Sequence, residues 1–202
     1  MSICYLVGAG DFNENIELYE DDLLIAVDGG YDSLIAAGYM PDVLVGDLDS
    51  VKAPIDESVK VLRYSKEKDE TDMLLAYRIG VRCEYTDFVI LGGTGGRFDH
   101  TLANISLLLY AKERGHNITM IDDKSMMICL KNESIRLTGA PGAYLSVFAF
   151  GEEAEGVTIL GTKYEIENAT LSPSFPLGVS NEFTEEEAFI SVNDGALIVI
   201  AE

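Results

Sequence analysis

A chain of 202 residues, 48% of them apolar, can bury a sizeable core as one large domain or two modest ones, and two is the expectation. Charged and turn-forming residues interrupt every apolar run before the roughly 18 residues of a membrane helix, so no membrane partner is expected. The formal charge of −21 disfavours nonspecific nucleic-acid binding, which draws on Lys and Arg; a polyphosphate could be held only where metal ions, backbone N–H groups or a few cations reverse the sign locally.

The N-terminus reads directly as a first buried strand, Ile3–Val7, with no basic region or small-residue cleavage site, so a cytoplasmic protein is expected. Further strand candidates are Leu23–Val27, Val43–Val45, Val59–Tyr64, Phe88–Leu91 and Ile118–Ile121. Helical spacing marks Asp72–Val81 and Asp99–Arg114, the latter with Leu102, Ile105, Leu108 and Leu109 on one side and Gly115 as its stop. This alternation predicts a mostly parallel sheet with flanking helices over residues 1–123, an α/β domain. Residues 124–202 read as a small antiparallel domain with strands Ser125–Leu130, Tyr144–Phe150, Phe189–Val192 and Ala196–Ile200, the last two joined by a hairpin turn at Asn193-Asp194-Gly195. Cys4, Cys83 and Cys129 suit neither a disulfide framework nor a zinc site and are expected to be core thiols. His116 is expected in solvent, and His100 as a polar residue at a helix start.

Asp47 and Asp49 follow an apolar strand, where parallel sheets place active sites. In extended backbone their spacing sends both carboxylates to one side and Leu48 to the core. Such a pair repels itself unless a cation intervenes, and hard oxygens favour Mg²⁺; a solvated turn is the competing reading. Glu67-Lys68-Asp69-Glu70-Thr71-Asp72 precedes a helix, so Asp69 or Thr71 can be a cap, or Asp72 a third carboxylate on the same metal. In Gly92-Gly93-Thr94-Gly95-Gly96-Arg97-Phe98-Asp99-His100, glycines and a following helix N-terminus read as a phosphate cradle. Arg97 adds a fork for phosphate oxygens, and Asp99 an acid that can approach an attacking hydroxyl. Gly8, Gly10 and Asp28 partly fit a dinucleotide fingerprint, but Asn13 stands where the third glycine belongs. Asp28-Gly29-Gly30 reads instead as a loop lining a nucleotide pocket, or as a structural turn.

These segments, with Val179-Ser180-Asn181-Glu182 near the end, resemble the thiamine pyrophosphokinase family in order and spacing along nearly the whole chain. The resemblance implies an α/β catalytic domain, a C-terminal β-sandwich, and a homodimer with active sites between subunits. The implied reaction passes pyrophosphate from ATP to the thiamine hydroxyl, leaving AMP. Asp47, Asp49 and Asp72 match the Mg²⁺ carboxylates and Asp99 an active-site acid. Asp28, Gly29, Gly30, Lys68 and the loop Gly92, Gly93, Thr94, Gly95, Gly96 and Arg97 match nucleotide positions. Ser180 and Asn181, with Asp69 and Asp72, match substrate positions. A tryptophan that some members set against thiamine is absent. A nicotinamide-dependent oxidoreductase using Gly8, Gly10 and Asp28, and a non-catalytic nucleotide sensor, are the competing readings.

Overall fold

The computed structural model of the chain describes residues 2–11 and 16–202, so Asn13 lies outside the described residues. The chain divides into two compact units, Met1–Leu107 with Gly115–Asp123, and Leu108–Arg114 with Lys124–Glu202. In the first, the order is β1 (Cys4–Val7), β2 (Leu23–Val27), α1 (Gly30–Ala36), β3 (Val43–Gly46), β4 (Lys60–Arg63), α2 (Asp72–Arg82), β5 (Asp87–Leu91), α3 (Phe98–Lys112) and β6 (Asn117–Ile121). The division falls within α3. Among the described residues no helix is long and apolar enough to cross a membrane.

The six strands lie in the order β6-β5-β1-β2-β3-β4, every neighbouring pair parallel. β1 and β3 are buried at every residue, which demands the unbroken apolar runs seen in the sequence. β4 stands at the edge, and its mostly exposed Lys60 and Arg63 deter further strand pairing. The order grows outward from β1 through β4, then returns to the other side of β1 with β5. Strand order therefore reverses between β1 and β5, where open α/β sheets bind ligands beyond the C-terminal strand ends.

Asp28 and Gly29 form a turn, and Gly29 then N-caps a short helix that begins at Gly30, with Tyr31 and Leu34 buried beneath it. Three local expectations are corrected. On α3 the buried positions are Asn104, Leu107, Leu108 and Ala111, while Leu102 is 60% exposed, so the expected side is not buried along its whole length. His116 is half-buried, its Nδ1 2.6 Å from the Tyr77 hydroxyl, because the ring sits beside Tyr77 and Phe88. Cys4 and Cys129 are core thiols as expected, whereas Cys83, the C-cap of α2, is exposed.

In the second unit follow β7 (Met126–Lys131), β8 (Ser134–Thr138), β9 (Tyr144–Ala149), β10 (Ala154–Leu160), β11 (Ile166–Leu171), β12 (Asn181–Glu182), β13 (Glu187–Ser191) and β14 (Ala196–Ala201). They form two antiparallel layers, β12-β9-β14-β7 and β11-β10-β13-β8. Leu145, Val147, Leu197 and Val199 from one layer share a core with Val157, Ile159, Ala188 and Ile190 from the other, each set at the two-residue period of a strand. The turn at Asn193-Asp194-Gly195 is not a hairpin. β13 and β14 belong to different layers, and the backbone N–H groups of Asn193 and Asp194 donate to the Glu155 carbonyl instead, so the chain changes sheets there.

Candidate functional site

The reversal point brings two glycine-bearing loops together backbone to backbone. Gly8 N donates to Leu91 O at 2.8 Å, Gly10 N to Gly92 O at 3.0 Å and Asp11 N to Thr94 O at 2.8 Å. A Cβ on Gly10 would stand 1.8 Å from the Thr94 carbonyl oxygen. Gly8 and Gly10 are thus glycine because the second loop lies against them, which removes the reason to read them as a dinucleotide fingerprint. Gly92 and Gly95 have positive φ, 62° and 80°, a conformation glycine adopts without strain. Gly96 has open space around it. Asn104, only 7% exposed, donates its Nδ2 to Gly93 O at 2.9 Å and fixes the loop from inside α3. Sequence reasoning missed this residue.

Arg97 and Asp99 grip one another where α3 begins: Nε donates to Oδ1 at 3.1 Å, and Nη2 donates to Oδ2. Both side chains are exposed. The guanidinium holds the Asp99 carboxyl below the usual carboxylate range, which makes Asp99 a weak proton acceptor while the pair persists.

At the end of β3 the backbone turns rather than extends. Leu48 is left-handed, φ 67°, and Asp47 Oδ1 accepts from Asp49 N at 3.0 Å, so the alternation expected of Asp47 and Asp49 does not apply. Leu48 does enter the core, at 9% exposure. Asp28, itself left-handed at φ 45°, accepts from Leu48 N through Oδ1 at 3.1 Å. A string of similar bonds ties the following loop to the start of α1. Asp32 accepts from Lys52 N and Ala53 N, and the Tyr31 hydroxyl donates to Pro54 O and accepts from Asp56 N.

Thr71, not Asp69, caps α2, its Oγ1 accepting from Leu74 N at 3.2 Å, which leaves Asp72 in the first turn free of capping duty. Lys68 Nζ is 2.9 Å from Asp72 Oδ1, an ion pair largely withdrawn from solvent, yet this buried oxygen has no aligned hydrogen-bond donor. Lys66 Nζ lies 2.8 Å from Asp49 Oδ2 in the open, and holds the Asp49 carboxyl low. Burial, then the Asp72 and Asp47 charges, push Asp28 up to about 6 against the Leu48 N–H, which acts to lower it. Asp28 therefore lies within electrostatic reach of both Asp47 and Asp72. Among the described residues no three acidic, thiol or imidazole side chains close around a common centre. Lysine ammonium groups instead sit on Asp49 and Asp72. The available ligands are all hard carboxylate oxygens, one of them buried without an aligned hydrogen bond, and such a set fits Mg²⁺.

In the second unit Asn181 is buried with its amide fully used. Oδ1 accepts from Tyr164 N and Glu182 N, both at 2.9 Å, and Nδ2 donates to Thr162 Oγ1 and Tyr164 O, both at 3.0 Å. Ser180, left-handed at φ 56°, is exposed beside it, its N–H donating to Ser146 Oγ. Tyr164, tied at both backbone groups to Asn181, exposes 63% of its surface.

Two family models match: "Thiamin pyrophosphokinase, catalytic domain" over residues 16–120 and "Thiamin pyrophosphokinase, vitamin B1 binding domain" over residues 132–197. The chain is 31% identical over 194 residues to the thiamine pyrophosphokinase of Bacillus subtilis, an alignment covering 90% of this chain and 87% of that one. It is 23% identical to thiamin pyrophosphokinase 1 of Caenorhabditis elegans, over 87% of this chain and 77% of that one. A crystal structure of thiamine pyrophosphokinase from Bacillus subtilis superposes with a TM-score of 0.91 at 27% identity, covering 100% of this chain and 99% of the other. With two matched domains and relatives along nearly its whole length, the chain belongs to the thiamin pyrophosphokinase family.

Proposed function

We propose that this thiamine pyrophosphokinase carries out its transfer at the C-terminal edge of the parallel sheet, with Asp47, Asp49 and Asp72 holding Mg²⁺ and the loop Gly92–Arg97 holding the ATP phosphates. One observation carries the reading: a buried carboxylate oxygen of Asp72, met by the Lys68 ammonium but without an aligned hydrogen bond, in electrostatic reach of Asp28, on the same sheet edge as a glycine loop that opens a helix. When bound, the metal neutralises phosphate charge that this acidic protein would otherwise repel.

The residues then divide the work. The N–H groups around Gly95 and Gly96 and the start of α3 donate to phosphate oxygens, and Lys68 and Lys66, exchanged off their carboxylates, lend further positive charge. Arg97 leaves Asp99 to fork onto the pyrophosphate being moved. Freed of the guanidinium, Asp99 regains basicity and faces the proton of the thiamine hydroxyl. That oxygen bonds to the β-phosphorus, the bond from the β-phosphorus to the oxygen it shares with the α-phosphorus breaks, and AMP departs with the electron pair. Positioning and charge neutralisation supply the catalysis, since phosphoryl transfer asks little covalent chemistry of a protein.

Gly29 and Gly30 line the nucleotide side, and Asp69 with Asp72 the substrate side. Ser180 meets thiamine, and Asn181 shapes the turn that offers it, across a homodimer in the cytoplasm. Family membership supports these last assignments. Thiamine's thiazolium is cationic, so an acidic surface draws it in. Incubation of the protein with ATP, Mg²⁺ and thiamine tests the reading: AMP and thiamine diphosphate are expected in equal amounts. ADP, or no nucleotide change, overturns it.

A further inference from the structure

The resemblance puts Asp28 among the nucleotide contacts, yet its carboxylate is turned to another use. Oδ1 takes the Leu48 N–H at 3.1 Å, in the middle of the Asp47-Leu48-Asp49 turn. The carboxylate also fills the space where residue 46 would carry a side chain: a Cβ on Gly46 would stand 1.8 Å from Oδ1 and 2.8 Å from Oδ2. Gly46 itself has φ 145°, and the Asp28 N–H donates to Val45 O at 2.8 Å, so the two strand ends are stitched from both sides. Leu48 pays a steric penalty for its left-handed backbone and keeps it because the side chain is buried and the N–H is caught. An anionic group so engaged is a poor partner for a polyphosphate.

We propose that Asp28 is a positioning residue for the metal-binding turn: wedged over Gly46 and accepting from Leu48 N, it sets the left-handed bend that presents Asp47 and Asp49. The inference rests on the assignment of Asp47 and Asp49 as metal ligands. It gives Asp28 the part of an outer partner that orients ligands without touching the ion. It also accounts for the pairing of an aspartate in left-handed conformation at the end of β2 with a glycine at the end of β3, since each leaves room for the other.

Four variants of the full chain separate the possibilities. Asp28→Gly keeps the left-handed backbone without strain and removes the acceptor, while Asp28→Asn keeps both the conformation and an acceptor oxygen but removes the charge. Asp32→Ala cuts the neighbouring strap to Lys52 and Ala53, and Asp49→Asn removes a ligand. Binding of Mn²⁺ alone, followed by the paramagnetic resonance signal of the free ion, is the main readout. Melting temperature and the Michaelis constant for ATP at saturating Mg²⁺ accompany it.

Asp28→Gly is expected to weaken Mn²⁺ binding by about tenfold or more, the usual effect of losing an outer-shell partner. Asp28→Asn should stay within about threefold of the parent on the same scale. Asp32→Ala should lower the melting temperature and leave Mn²⁺ affinity alone. Parental Mn²⁺ affinity in Asp28→Gly, with binding lost in Asp49→Asn, overturns the positioning role and leaves the metal assignment standing. Equal damage from Asp28→Gly and Asp28→Asn overturns it too, because charge rather than acceptance would then matter. A raised Michaelis constant for ATP with parental Mn²⁺ affinity returns Asp28 to the nucleotide. Undiminished binding in Asp49→Asn removes the metal assignment and the positioning role together.

Discussion

Asp47 and its neighbours show how one side chain can serve both the turn and the chemistry. Asp47 Oδ1 accepts from Asp49 N, and an asparagine oxygen can do the same, so Asp47→Asn keeps the turn while losing a ligand charge. The expected outcome is an unchanged melting temperature with turnover reduced about a hundredfold or more, the scale of losing a key electrostatic group. Steady-state kinetics at saturating Mg²⁺ checks it. Asp28 offers a second measurement at this scale. Its carboxyl is raised from 3.8 to about 6, so the folded protein binds a proton that the unfolded chain has released. Stability from this group is full below about pH 3.8 and is lost as pH rises through about 6. In metal-free buffer, urea midpoints of the parent should fall relative to those of Asp28→Asn between pH 4.5 and pH 7. The identity of Asp47 and Asp49 as site residues was legible because a strand end leads into them. Their geometry was not, since the sign of Leu48's φ depends on an acceptor twenty residues earlier in the chain. Asn104 was invisible for a similar reason: a polar residue in an apolar helix face has no meaning until the Gly93 carbonyl is set beside it.

Among the elements, α2 and α3 each begin at the site, and their first turns decide what reaches it. Thr71→Ala removes the side-chain acceptor for Leu74 N and should cost about 1 kcal/mol in a denaturation experiment. Asn104→Ala leaves the buried Gly93 carbonyl without its donor, a loss of about 1–3 kcal/mol. It should also raise the Michaelis constant for ATP, because the phosphate loop is then held from one side only. β1, β2 and β3 were readable from their unbroken apolar runs, as were α2 and α3 from their spacing. α1 was not, because its seven residues begin with glycine and a Gly-Gly pair reads as a turn. In the second unit β10 and β11 escaped notice where register shifts break the alternation that marks a strand. The hairpin expected at Gly195 followed from good turn chemistry, which says nothing of which sheet the next strand joins.

At the scale of the molecule, the charge of −21 is a standing burden on the folded state, because compaction brings like charges together. Raising NaCl from low to moderate concentration should therefore raise the melting temperature, as screening shortens the reach of that repulsion. A scan of thermal unfolding against salt checks the sign. A homodimer is expected to elute at twice the mass of the 22.0 kDa chain, which light scattering measures directly. Composition made the class of chain legible, and five short segments in order made the family so. The strand order was not written in either.

That order has a temporal meaning. β1 leaves the ribosome well before its neighbour β5, which ends only at Leu91, so one flank of β1 waits for most of the first unit to be made. The glycine loops on either side of this seam meet only once the chain has passed Arg97. Affinity for nucleotide should thus be absent from shorter nascent chains and appear in a single step, when the seam closes.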